Sequence, residues 1–104
     1  MAQLDIYINA EETSCQEIPY LLDIQHNLHN DLKTRMIIPL VLISAQRAGI
    51  TKLCPVFKIN EQDVFASIPE IASFPVTELG KKIGNLASKR DELFSAIDFL
   101  LHGF

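Results

Sequence analysis

Apolar and polar residues alternate with a period of two at the start of the chain. Leu4, Ile6 and Ile8 interleave with Asp5, Tyr7 and Asn9, which predicts a half-buried strand with the first set facing the core. Residues 10–17 are polar and turn-like, so a loop follows. Residues 18–25 predict a second strand, and the asparagine-rich residues 26–33 a second loop. The most apolar stretch is 36–43, short and β-branched, which predicts a strand buried on both faces. Pro39 lies inside it and removes a ladder donor, so a bulge or a sheet edge is expected there.

Residues 44–52 break the pattern and predict a loop or one helical turn. Strands are expected over 53–59 and 64–68, joined by residues 60–63 in a hairpin loop longer than the tightest kind. Residues 74–79 predict a short, edge-like strand because Pro69 and Pro75 flank or enter it, and Gly80 and Gly84 punctuate its exit. The tail is the helix. Ser88 with Asp91 three positions on reads as a capping box. Leu93, Ile97, Leu100, Leu101 and Phe104 then share one helical stripe, with Phe94 and Ala96 at its flanks and Phe99 outside it. Short strands followed by one helix predict a mainly β fold, a small antiparallel barrel-like sheet with a C-terminal α-helix packed on it.

A chain of 104 residues predicts one domain, 1–104. Its 48% apolar and 21% charged content makes it globular, and that apolar share points to an oligomer. The net charge of −4 argues against direct nucleic-acid binding, which needs clustered Lys and Arg. It suits a protein partner. No signal-peptide pattern and no membrane-length apolar run is present, so a cytosolic location with reduced thiols at Cys15 and Cys54 is expected. Cys54 reads as a core residue and Cys15 as a loop thiol.

Candidate chemistry is sparse. His26 and His29, with Asp23 and Asp31 nearby, lack the further ligand that a metal site needs, so no metal and no cofactor is expected. A ribonuclease would draw on a His, an Arg such as Arg35 or Arg47, and an Asp, but no spacing selects them. The four glycines at 49, 80, 84 and 103 form no phosphate loop, and no serine sits in a nucleophile elbow.

Three segments carry a family resemblance in their order and spacing. They are Thr34-Arg35-Met36-Ile37-Ile38-Pro39-Leu40, Leu53-Cys54-Pro55-Val56-Phe57-Lys58-Ile59 and Ala72-Ser73-Phe74-Pro75-Val76. Together with the penultimate Gly103 they resemble the CcdB family along essentially the whole chain. The resemblance implies an SH3-like antiparallel barrel with a small accessory sheet, assembled as a twofold homodimer. It implies a non-enzymatic toxin of a toxin–antitoxin pair, which binds the DNA gyrase A subunit, traps the enzyme with its DNA cleaved, and is neutralised by a CcdA-like antitoxin. It implies gyrase contacts at His26, Leu28 and His29 in the second loop, Ser95 and Asp98 on the helix, and His102, Gly103 and Phe104 at the terminus. Antitoxin contacts are implied for Glu11, Glu12, Thr13, Ser14 and Cys15, and for Ser44, Gln46, Arg47 and Thr51. Where the family ends in Trp-Gly-Ile, this chain ends in His102-Gly103-Phe104, and its paired loop isoleucines are replaced by Leu28 and His29. The alternative from another class is a CcdB-fold module that binds antitoxin without poisoning gyrase.

Overall fold

In the computed structural model, which describes residues 2–43 and 53–103, β-branched and leucine-rich segments form seven strands and one helix. The strands are β1 (Asp5–Asn9), β2 (Tyr20–Asp23), β3 (Thr34–Leu42), β4 (Val56–Ile59), β5 (Gln62–Ala66), β6 (Ala72–Pro75) and β7 (Leu79–Asn85), followed by α1 (Arg90–His102). All pairings are antiparallel, in the order β4-β5-β3-β2-β1-β7, with β6 added on β3. The sheet curls into a half-barrel, and α1 covers one face of it. The β4–β5 hairpin takes the place of the expected accessory sheet, but it is hydrogen-bonded to β3 and so belongs to the same sheet.

β3 is the spine. Its first half pairs with β6 through Thr34–Ile37 and its second with β5 through Leu40–Leu42, while β2 lines its other edge. Ile38 and Leu40 face the main core with Leu4, Ile6, Leu22, Phe57, Val64, Ile68, Leu93 and Ala96. Val41 faces the opposite side with Cys54 and Phe65. The strand is thus buried on both faces, as its composition predicts. Pro39 causes neither a bulge nor a free edge. It sits where β3 changes partner, and its carbonyl accepts from Ser67 N–H (3.0 Å). A residue's N–H and C=O leave a strand on the same side, so the donor that proline lacks would have pointed into the gap between β5 and β6.

Other expectations need correction. β1 is not half-buried: Asp5, Tyr7 and Asn9 are buried, whereas Ile8 is exposed. The reason is that polar side chains, described below, fill the second face. The segment after Gly80 is a strand, not an exit. β7 pairs with β1 across two register shifts, which erase the simple alternation. Gly80 is required by close approach, since a Cβ there would lie 2.5 Å from the Ile8 carbonyl oxygen. The β4–β5 turn is the tightest kind: Ile59 pairs with Gln62, and Asn60 and Glu61 both have positive φ (50° and 67°). Finally, α1 has no serine cap. Ser88 lies in a 3-10 turn, and Asn85 Oδ1 accepts from Ala87 N–H (2.7 Å) before the helix begins.

The helix buries Leu93 and Ala96, with Phe94 and Ile97 packed beside them. Arg90 stacks over the Phe94 ring at 4.9 Å. The expected stripe does not extend inward to the end, because Leu100 and Leu101 are exposed on the last turn (40% and 69%). The first two turns cover the half-barrel and the last overhangs it. Gly103 stops the helix in the left-handed conformation (φ 80°), its N–H donating to Phe99 C=O (2.9 Å). Phe104 and residues 44–52 lie outside the described residues.

Candidate partner-binding site

The loop between β2 and β3 is built on a buried charge pair. Arg35 on β3 and Asp23 on β2 are both 0% exposed, and Arg35 Nε donates to Asp23 Oδ2 at 2.8 Å. The remaining arms of the guanidinium leave the sheet for the loop. Nη1 donates to Asn30 Oδ1 (2.6 Å) and Nη2 to the Gln25 carbonyl (2.9 Å). Asp23 Oδ1 also accepts from Gln25 N–H (3.0 Å). Between these anchors, Asn27–His29 forms a 3-10 turn capped by His26, whose Nδ1 accepts from Leu28 N–H (3.0 Å). No residue of the turn is buried, and Leu28 projects 77% exposed.

A second set of bonds ties this turn to the start of α1. Gln3 N–H donates to Asn27 Oδ1 (2.7 Å), its Nε2 to the Ile24 carbonyl (3.0 Å), and its Oε1 accepts from Arg90 Nη1 (2.6 Å). The turn therefore adjoins the first turn of the helix. His102 and Gly103 are at the far end, about 18 Å along the axis at 1.5 Å per residue.

Beneath the loop lies the rest of the polar face. Asp5 accepts from Asn85 Nδ2 (2.9 Å) and Ala2 N–H (2.8 Å) and pairs with Lys82 (3.3 Å). Burial alone would raise its pKa, but these bonds and the ammonium together hold it below the usual carboxylate value. For Asp23 burial wins, and its pKa is raised although Arg35 and Gln25 N–H pull the other way. Tyr7 Oη donates a long bond to Asp5 (3.4 Å), and burial, then the charges of Asp5 and Asp23, push its phenol up to about 12. The unfolded phenol ionises near 10, so stability from Tyr7 is complete below that pH and is lost as pH rises toward about 12. Ultraviolet titration of a Tyr20→Phe variant, in which Tyr7 is the remaining tyrosine, is expected to show a midpoint near 12 while the fold persists.

On the same side of the sheet, Glu11, Ser14, Asn9, Ile18, Leu21 and Phe74 help to line a groove of about 220 Å³. Asn9 shapes its rim: its Nδ2 donates to Ser14 Oγ (2.9 Å) and the Ile18 carbonyl (2.8 Å), and its Oδ1 accepts from Glu11 N–H (3.0 Å).

The family model described as CcdB protein matches residues 3–103. This chain belongs to the CcdB family. CcdB membership makes it a toxin of a toxin–antitoxin system, with an antitoxin as its implied partner. Among solved structures, the Mycobacterium tuberculosis toxin MazF-mt6 is similar with a TM-score of 0.69, over 93% of this chain and 95% of its own, at 20% identity. That likeness establishes the fold alone. No curated protein matches significantly. No helix among the described residues is long and apolar enough to cross a membrane.

The CcdB-implied residues fall into three places. His26, Leu28 and His29 share the exposed 3-10 turn, with His26 committed to capping it. Ser95 and Asp98 are exposed on the outer face of α1, and His102 and Gly103 are exposed at its end. Glu11, Glu12, Thr13, Ser14 and Cys15 form the turn beside the groove, where Thr13 Oγ1 donates to Glu11 Oε1 (2.7 Å) and Cys15 is half-buried. Ser44, Gln46, Arg47, Thr51 and Phe104 lie outside the described residues. Gly103 has a structural reason of its own, because its φ is one that other residues resist. Composition and spacing overlook Gln3, Gln25 and Asn30, which shape the loop, and they single out Asp23 only as a neighbour of the histidines, not as the partner of Arg35. The signal for that pair is an acidic residue in one apolar strand and a basic one in the next.

Proposed function

We propose that this protein is a gyrase poison. As a homodimer it binds the gyrase A subunit through His26, Leu28, His29, Ser95, Asp98, His102, Gly103 and Phe104 and traps gyrase on cleaved DNA, without catalysing a reaction itself. A CcdA-like antitoxin neutralises it through the turn at residues 11–15 and the segment 44–51. The carrying observation is the rigidly anchored turn that holds Leu28 77% exposed. An apolar side chain held out in water on an ordered scaffold gains most by docking against a protein. Leu100 and Leu101, exposed at the helix end, support the dimer through a twofold contact. The ribonuclease reading is weaker. Arg35 is fully buried and spent on Asp23, Asn30 and Gln25, so it offers no arm to a phosphate. His26 Nδ1 is likewise engaged.

His102 stands where the family has tryptophan. Cation–π attraction is strongest for Trp, and an imidazole offers a smaller ring face to a cation on the partner. Calorimetry against the gyrase A catalytic core is therefore expected to show binding that tightens in His102→Trp and disappears when Gly103 and Phe104 are deleted. Sedimentation should give a mass above the 11.7 kDa monomer. Equal binding by the truncated chain would reject the reading.

A further inference from the structure

We propose that Arg35 is a positioning residue for the partner-binding loop, one that works from inside the sheet without touching the partner. The guanidinium bridges the two ends of the loop. It reaches Gln25 before the 3-10 turn and Asn30 after it, while Asp23 fixes its plane from the strand behind. Gln25 is itself locked at both ends: its Nε2 donates to the His29 carbonyl (2.8 Å) and its Oε1 accepts from Met36 N–H (3.1 Å).

No apolar packing holds the turn, since none of its three residues is buried. Its shape rests on these polar anchors and on the Gln3 contacts at its helix side. Arginine is needed for the geometry. Three acceptors, one at the end of β2 and two in the loop, are met by one planar fork, whereas a lysine ammonium is a single point on a flexible stem. A loop ordered before contact loses less entropy on binding, so anchoring should appear in the affinity for whatever reads Leu28.

The identity of that reader rests on the gyrase proposal, but the positioning role does not. The test compares the intact protein with Asn30→Ala, Asn30→Asp and Arg35→Lys. Amide hydrogen exchange across residues 26–30, thermal unfolding and calorimetry against the gyrase A catalytic core are measured for each. Asn30→Ala removes one charge-assisted bond and leaves the Asp23–Arg35 pair in place. Its loop amides are expected to exchange about tenfold faster, with gyrase affinity lower by a similar factor and the global transition unmoved. Asn30→Asp retains an acceptor oxygen and should restore protection. Arg35→Lys should lose protection further, together with some global stability. Unchanged loop exchange in both Asn30→Ala and Arg35→Lys would overturn the proposal whatever gyrase does. Faster exchange with undiminished gyrase affinity would overturn the link to binding. If the intact protein ignores gyrase, the gyrase reading fails, and the exchange data still decide whether Arg35 sets the loop.

Discussion

Asp23→Ala is expected to destabilise the protein by about 3–5 kcal/mol, because it leaves a buried guanidinium without its counter-charge. Both side chains are fully buried, so water cannot take over the role of the carboxylate. A domain of this size is stable by about 5–15 kcal/mol, so the loss is a large share of the whole. Removing both charges together, as Asp23→Leu with Arg35→Met, should cost much less, since an apolar pair of similar volume carries no desolvation penalty. The raised pKa of Asp23 agrees: burial of its charge is only partly offset by its partners. Urea titration of the single and double variants checks this. The double variant separates two roles, for it should recover stability without recovering an ordered loop. A single variant as stable as the double would contradict the account.

Leu93→Ala should cost about 2–5 kcal/mol. Leu93 is fully buried and joins α1 to Leu4, Leu22, Ile38 and Ile68, so truncation opens a cavity at the point where helix meets sheet. Leu101→Ala is the control. It lies on the same helix but is 69% exposed, and surface changes of this kind stay within about 0.5 kcal/mol. Thermal unfolding is expected to fall sharply for the first and hardly move for the second. Because Leu101 belongs to the proposed twofold contact, Leu101→Ala should also shift the sedimentation profile toward monomer, so the unfolding curves are compared at a concentration where all the proteins are monomeric.

The parts of the fold legible in the sequence are those with one dominant local signal. β3 announces itself as a continuous β-branched run, and α1 as a helical period. β7 is hidden because its pairing with β1 slips register twice and Gly80 answers to the neighbouring backbone at Ile8. The second face of β1 is not legible, because Asp5, Tyr7 and Asn9 look solvated in isolation. They are buried because Asn85, Lys82 and Ser14, distant or looped in sequence, satisfy them. At the candidate site, exposure of the loop was legible from its polar composition. Its support was not, since nothing local shows that Arg35 spans three acceptors. The helix end was half legible: its apolar residues were seen, but not that the sheet stops short of them.

The partnership of β1 with β7 bears on how the protein is made. Asp5 waits for Asn85, and Leu4 accepts from Leu86 N–H (2.8 Å), so β1 leaves the ribosome well before the strand that completes it. Until residues 79–86 emerge, β1 presents an open edge, and α1 has not yet been synthesised to cover the core. Such long-range closure slows folding and leaves a nascent chain prone to wrong pairing. It also means that a chain interrupted before β7 carries the Leu28 loop without the strand and helix that frame it. Translation broken off early should therefore yield an unfolded fragment and not a partly active toxin.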